Sequence, residues 1–369
     1  MRLKRFEVRN YKNFKDTFVM DFSKVGTYNF NKECLCDGLI KNAIIYGKNA
    51  VGKSNFGRAV LDITNHLVDK AKDFRSSIAY TNADEDSKEA WFRYTFVDDK
   101  DEIVYEYKKT SSVQVVFESL EVNQELVFSY DYQKNIGDFD NFKKYGLSTL
   151  NWRFLEEGIS FLRYMANNLT LDDEHPVMKL MCFVEGMLWF CSLGNGNEYI
   201  GFSLRIESIS EYIIRNGYVH ELEAFLRNHD VNEHLEAVTE INGQRNLYFK
   251  HTKGYVPFSS ASSGTNALLA FYYWYKQLRK ATFVFIDEFD AFYHFELSEQ
   301  LVRLSIHQLD MQVILTSHNT NLLTNRILRP DCCFILTKDR LSSFSEATAR
   351  RLKEENNLER LYMGGEFDG

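Results

Sequence analysis

The chain has 369 residues, and its 44 Lys+Arg against 52 Asp+Glu give a formal net charge of −8. Hydrophobic residues make up 44% and only three prolines occur, which excludes a disordered, collagen-like or low-complexity protein. The sequence pI of about 5.7 disfavours a dedicated nucleic-acid-binding protein, although it does not exclude a local basic groove. At roughly 150 residues per domain, the length predicts two or three domains.

The termini and the most apolar stretch carry no export or membrane signal. The first residues turn polar before an apolar run develops. Residues 180–193 contain Glu185 and fall short of the roughly 20 apolar residues that span a bilayer, so we predict a buried helix there. The six cysteines lack a paired CxxC spacing. We therefore expect a cytoplasmic protein with reduced thiols and no membrane partner, and a zinc site at Cys34 and Cys36 is the weaker alternative.

The first third of the chain predicts strands around one helix. Alternating apolar residues indicate a strand around Phe6 and Val8, a turn over residues 10–14 and a second strand over 17–22. The short apolar run at 43–46 is typical of a central strand. Helical spacing of apolar residues follows from 56 to about 72, and alternation over 90–133 predicts a strand meander.

The remainder predicts a helical segment and then alternating strands and helices. Residues 136–238 have a helical pattern, and a hairpin turning at Asn242-Gly243 follows over 238–258. The later elements are helices at 265–279, 296–307 and 321–327 and strands at 282–286, 312–316 and 332–336. Interleaved strands and helices indicate an α/β fold with a parallel sheet. The predicted domain organisation is 1–135, a helical insertion at 136–238, 239–345, and a C-terminal helix or tail at 346–369.

One loop matches the phosphate-binding pattern of Gly, four residues, Gly, Lys and Ser. It covers Gly47 to Ser54 and lies between a predicted strand and a predicted helix, as that motif requires. Gly47 and Gly52 would let backbone N–H groups curl around a β-phosphate at the positive end of the helix. The alternative is an ordinary glycine turn that caps a helix.

The side chains of this loop have distinct predicted roles. Lys53 is predicted to bridge the β- and γ-phosphates of ATP, and Ser54 to bind Mg²⁺. Asn49 and Asn55 are predicted to contact the same nucleotide.

Two further strands end in chemically active residues. Residues 282–286 run into Asp287 and Glu288, which we predict to bind Mg²⁺ and to act as the general base toward water, respectively. The strand at 312–316 is followed by His318, predicted to reach the γ-phosphate. Taken singly, each has a simpler interpretation: a surface acidic pair and a structural histidine.

A serine- and glycine-rich segment precedes the acidic strand. Ser263 and Gly264 open the helix predicted at 265–279 and offer a second anion-binding helix start, although Ser263 could also act only as a helix cap. The order of phosphate loop, Ser-Gly helix start, Asp-Glu strand and Ser-His is the order of ABC-type ATPases. The sequence resembles the ABC-type heads of the SMC, RecF and OLD group, and more closely the stand-alone bacterial AAA family ATP-binding proteins allied to OLD and RloA-type ATPases.

This resemblance rests on five segments of the chain, which are 3–14, 47–54, 262–266, 287–290 and 317–319. It implies an ABC-type head with a mixed sheet and an antiparallel β subdomain, ATP and Mg²⁺ as cofactors, and a homodimer or higher homo-oligomer in which Ser263 and Gly264 face the partner's ATP. It also implies antiphage defence through a separate effector, such as a Toprim or other nuclease or toxin, because no Asp-x-Asp constellation follows His318. Thr265, Asn266 and Phe295 depart from the common pattern.

Two other functions remain open from the sequence. A RecF- or SMC-like head that clamps DNA draws support from a basic alternation near the N-terminus, although a solvated strand face explains the same residues: Arg2, Lys4, Arg5, Arg9, Lys12 and Lys15. A scaffold that binds ATP without turning it over is the third hypothesis. Glu288 and His318 count against it.

Overall fold

The computed structural model describes residues 1–68, 78–150, 158–192, 199–201, 208–278, 281–308 and 311–367. Its strands are, in chain order, β1 (Arg2–Arg9), β2 (Phe18–Asp21), β3 (Leu35–Cys36), β4 (Leu39–Ile40), β5 (Asn42–Tyr46), β6 (Ala90–Val97), β7 (Glu102–Lys109), β8 (Val115–Val122), β9 (Glu125–Asp131), β10 (Ile136–Asp138), β11 (Met187–Cys191), β12 (Tyr199–Gly201), β13 (Leu235–Thr239), β14 (Arg245–His251), β15 (Gly254–Pro257), β16 (Phe283–Asp287), β17 (Gln312–Thr316), β18 (Cys333–Leu336) and β19 (Leu341–Ser343). Its helices are α1 (Lys53–Val60), α2 (Asp62–Leu67), α3 (Phe161–Asn168), α4 (Pro176–Glu185), α5 (Ile209–Arg215), α6 (Val219–Arg227), α7 (Ser263–Gln277), α8 (Phe295–Gln308) and α9 (Leu358–Met363).

A seven-stranded central sheet has the order β12-β11-β16-β17-β5-β18-β19. Its five inner strands are parallel, and β12 and β19 pair antiparallel at the edges. Strands β5, β16 and β17 are buried along their whole length, as expected for parallel strands covered on both faces. Their carboxyl ends therefore meet at one edge of the sheet, and the predicted α/β fold with a parallel sheet is confirmed.

Three antiparallel sheets accompany the central one in the described residues, and the smallest of them is the pair β3-β4. The largest has the order β10-β9-β8-β7-β6-β1-β2, so the meander predicted over 90–133 is confirmed and continues onto the two N-terminal strands. The remaining one contains β13, β14 and β15, and its first hairpin turns where predicted, with Gly243 at φ 84°. The fold class, mixed α/β with a mixed sheet and an antiparallel β part, is confirmed.

The segment predicted to be helical over 136–238 contains a strand of the central sheet. Helix α4 ends at Glu185, and β11 then pairs in parallel with β16. The prediction of a buried helix over 180–193 is therefore wrong beyond Glu185. A short, fully apolar run has no periodicity that separates a buried strand from a buried helix. The domain limits at 135 and 238 stay predictions.

Two predicted helices are shorter in the structure. The helix predicted over 321–327 is a single 3-10 turn at Thr320–Leu322, because the Asn319 side chain accepts a hydrogen bond from the Asn321 amide and closes the turn locally. The helix predicted from 56 to 72 is divided at Leu61 and ends at Leu67, and the prediction beyond residue 68 lies outside the described residues.

The six cysteines are free thiols, and Cys34, Cys191, Cys332 and Cys333 are buried. Among the described residues no group of His, Cys, Asp and Glu has the arrangement of a metal site, so the zinc alternative finds no support. No helix in the described ranges has both the length and the apolar character needed to cross a bilayer.

Helix α1 packs closely on the central sheet through Gly57. A Cβ at this position would lie 2.6 Å from the Phe285 ring and 2.8 Å from the Trp189 ring, both of which are fully buried. Well-packed aromatic rings cannot give way without displacing their own neighbours. The close approach of these two rings explains why a glycine, and not a residue with a side chain, occupies position 57 within the helix.

We expect Gly57→Ala to lower the free energy of unfolding by about 1–3 kcal/mol through overpacking, despite the better helix propensity of alanine. Urea denaturation measures the change. Gly254→Ala is the matched control, because a Cβ there meets nothing within 4 Å. Equal stability of the two variants would contradict the packing interpretation.

Candidate functional site

The predicted phosphate loop connects β5 to α1. Gly52 precedes the first residue of α1 at φ 107°, a backbone conformation that side chains rarely adopt. At Gly47 a Cβ would lie 2.5 Å from the carbonyl oxygen of Leu336. Both glycines are thus required by local geometry, and the loop places the N-terminus of α1 at the carboxyl edge of the sheet.

Asn13 holds this loop from the N-terminal turn. Its Nδ2 donates to the Val51 carbonyl at 2.9 Å, and its Oδ1 accepts from Asn55 Nδ2 at 2.7 Å. The Asn55 side chain, which the sequence predicts to bind nucleotide, is thus hydrogen-bonded to Asn13. Sequence reasoning did not assign a role to Asn13, although the turn over residues 10–14 had been recognised. An amide side chain in a tight turn was the available signal.

Lys53 lies inside the loop with 7% of its surface exposed. Its Nζ donates to the carbonyl of Gly47 at 2.9 Å and approaches that of Lys48 at 3.4 Å. Burial lowers the pKa of Lys53, whereas the charges of Asp287, Glu288 and Asp290 act in the opposite direction. Asn49 is exposed and Ser54 is half-buried in the same segment.

The acidic pair follows β16 directly. Asp287 is 1% exposed, and its Oδ1 accepts a hydrogen bond from Thr316 Oγ1 at 2.7 Å. The amide of Glu288 donates to the same Thr316 oxygen at 2.8 Å. The Asp287 carboxylate and the Glu288 backbone therefore lie beside the end of the neighbouring strand β17.

His318 lies two residues beyond the end of β17 and is exposed. Partial desolvation, followed by the positive charge of Lys53, lowers its pKa, whereas Asp290 and Asp287 act to raise it. The adjacent Ser317 donates to Asp290 Oδ2 at 2.6 Å, and burial raises the pKa of that carboxyl group. The histidine is thus held next to the lysine and the two aspartates.

The structure brings together Lys53, Asp287, Glu288 and His318 at one sheet edge, where parallel α/β sheets bind ligands. The Ser54 hydroxyl and the Asp287 carboxylate are hard oxygen donors of the kind that Mg²⁺ takes together with phosphate oxygens. The donor set and the helix N-terminus behind the loop therefore fit a magnesium nucleotide.

Gly264 lies against the turn that follows the acidic pair, where a Cβ would be 3.1 Å from the Phe292 carbonyl oxygen. Ser263 precedes it. They form the first turn of α7, and neither makes a hydrogen bond or ion pair with residues 47–55 in the described part of the chain. The cap of α7 is Ser262, whose Oγ accepts from the Thr265 amide at 3.2 Å, so the capping role considered for Ser263 is wrong. Ser263 remains exposed at the helix start.

Residues 211–324 match the family model described as "AAA domain, putative AbiEii toxin, Type IV TA system". This part of the chain is therefore similar to an AAA domain. The matched range includes the start of α7, the acidic pair and His318, and it ends before β18. No curated protein gives a significant match.

Solved structures that resemble the chain include heads of SMC proteins. The SMC head domain from Thermotoga maritima has 13% identity and a TM-score of 0.42, with 93% of this chain and 99% of that one covered. The Smc head domain with a coiled coil and joint from Pyrococcus yayanosii has 10% identity and a TM-score of 0.49, with 98% and 99% covered. At these values the likeness carries no functional argument.

Proposed function

We propose that the protein is an ATP-binding and ATP-hydrolysing switch that dimerises around ATP and controls or scaffolds a separate effector, in bacterial antiphage defence. The observation that carries the catalytic part is the convergence of Lys53, Asp287, Glu288 and His318 at the carboxyl edge of the parallel sheet. The charges of Asp287 and Asp290 act on the pKa of both Lys53 and His318, which supports one shared site.

Each side chain has a defined task in this proposal. Bound MgATP supplies the phosphoryl group that is transferred to water. Lys53, which bonds to the Gly47 carbonyl in the structure, would bind the β- and γ-phosphates, and Ser54 and Asp287 would hold the metal. Glu288 accepts the proton of the attacking water, and His318 contacts the γ-phosphate from the end of β17. A His318 with a lowered pKa is neutral near pH 7 and can accept or donate one hydrogen bond there.

The dimer completes the site. Ser263 is exposed at the start of a fifteen-residue helix and contacts no part of its own phosphate loop in the described residues. A helix N-terminus favours anions, so a second copy can present Ser263 and Gly264 to the γ-phosphate. Nucleotide would then lie between two chains, and its hydrolysis would release them.

The defence context has weaker support. The description of the matched family names a toxin and a type IV TA system, which is compatible with a role in conflict between bacteria and their parasites. We expect the neighbouring reading frame to encode the effector, a Toprim or other nuclease or a toxin. A neighbour of housekeeping metabolism would count against this context and leave the ATPase proposal intact.

Phosphate release and sedimentation velocity test the proposal together. The wild-type protein should release phosphate from ATP and shift toward a dimer when ATP and Mg²⁺ are added. Lys53→Met should abolish both, whereas Lys143→Met, at an exposed lysine far along the chain, should change neither. Absence of turnover and of a dimer in the wild type would contradict the proposal.

The DNA-clamp alternative loses its main support in the structure. Three basic side chains of β1 are paired with acidic neighbours: Arg2 with Asp37, Lys4 with Glu102, and Arg5 with both Glu7 and Asp21. The acidic partners reduce the net positive potential of this strand face, which lowers its attraction for phosphates.

We therefore expect weak DNA binding with a shallow salt dependence, as measured by fluorescence anisotropy of a labelled duplex. Each phosphate contact contributes a slope of about −0.9 to log K against log salt. A slope of several units would restore the clamp as the leading function.

A further inference from the structure

The hydroxyl group of Thr316 connects the two acidic residues of the site. Thr316 ends β17 and is fully buried. Its Oγ1 donates to Asp287 Oδ1 at 2.7 Å and accepts from the amide of Glu288 at 2.8 Å. A hydroxyl has one proton and two lone pairs, so a single side chain can make both bonds at once.

The backbone around Glu288 explains why this contact matters. Glu288 has φ 48°, a left-handed conformation that costs energy for a residue with a side chain. The turn folds around Thr316: the Phe289 amide donates to the Thr316 carbonyl at 3.2 Å, and the Glu288 amide donates to its hydroxyl. The strained turn is therefore held by one residue of the neighbouring strand.

The bond to Asp287 also sets the direction of its carboxylate. Thr316 engages Oδ1, and Oδ2 accepts no hydrogen bond from the described residues. The hydroxyl group of the adjacent Ser317 donates to the carboxylate of Asp290 instead. The two consecutive hydroxyls thus have separate partners, and only that of Thr316 bonds to the acidic pair.

We propose that Thr316 is a positioning residue that aims Asp287 at the metal and fixes Glu288 as the base. This inference rests on the proposed ATPase function. Partners that orient a metal ligand typically affect metal affinity or activity by about 10- to 100-fold. The Thr316 hydroxyl acts through Asp287 and Glu288.

The test compares Thr316→Val, which removes the hydroxyl at similar volume, with Thr316→Ser, which keeps it. For the valine variant we expect a loss of kcat of about 10- to 100-fold, with KM for ATP nearly unchanged. We also expect a higher Mg²⁺ concentration for half-maximal binding of a fluorescent ATP analogue, which is measured without turnover. The serine variant should recover most of the turnover. Thr64→Val is the matched control, because Thr64 is 1% exposed and its hydroxyl bonds only to the Leu61 carbonyl.

The possible results separate the inference from the function on which it rests. Wild-type turnover and Mg²⁺ dependence in Thr316→Val would overturn the positioning role alone. Equal losses of turnover in the valine and serine variants would overturn it too, because the hydroxyl group that serine keeps would then make no contribution. If the valine variant does not fold, Thr316→Ala against Thr316→Ser makes the same comparison. Absence of turnover in the wild type would overturn the ATPase proposal, and the inference with it.

Discussion

The Glu288→Gln variant should bind ATP as tightly as the wild type and lose turnover by about 10²- to 10⁴-fold. Glutamine has nearly the same shape as glutamate, and the hydrogen bond from the backbone N–H of residue 288 to Thr316 Oγ1 stays in place. It cannot accept the proton of the attacking water. Because hydrolysis opens the dimer in the proposed cycle, the variant should accumulate as an ATP-bound dimer in sedimentation velocity.

Glu355→Gln is the control for this variant, since Glu355 is exposed in the C-terminal segment. It should hydrolyse ATP and return to the monomer like the wild type. A Glu288→Gln protein that stays monomeric with unchanged turnover would remove Glu288 from the role of base.

The Ser263→Arg variant should also lose at least about 10²-fold of its turnover, for a different reason. Ser263 is exposed and Ser262 supplies the cap, so the fold of α7 tolerates the change. The long arginine side chain would take the space at the helix start in which the partner's γ-phosphate meets the backbone amides, while the two chains could still pair. Each monomer should still bind ATP, as measured with a fluorescent nucleotide.

Ser148→Arg provides the comparison, because Ser148 is exposed and lies outside the candidate site. It should keep both turnover and the ATP-dependent dimer. If Ser263→Arg hydrolyses ATP at the wild-type rate, the site does not require a second chain.

The sequence predicted the parts of the site that combine a local pattern with a strand end. The phosphate loop, the acidic pair and His318 all follow short apolar runs, and parallel strands bring such ends to one edge. The order of these segments also predicted the α/β fold. Their roles in catalysis stay predictions.

The parts that the sequence did not reveal depend on contacts between distant segments. Asn13 reaches the loop across 38 positions, and Thr316 reaches Asp287 across 29. A hydrogen bond between residues so far apart in the chain produces no periodic pattern in the sequence. The same holds for β11, whose place beside β16 is decided by packing and whose residues carry no helical or alternating pattern.

Mixing two inactive variants tests the composite site most directly. Glu288→Gln and Ser263→Arg subunits, combined at equal amounts before ATP is added, form mixed dimers with one complete site, which contains Glu288 from one chain and Ser263 from the other. With random pairing and independent sites, two-fold symmetry predicts recovery of about a quarter of the wild-type turnover. A mixture as inactive as either variant alone, although each binds ATP, would contradict a site shared between two chains.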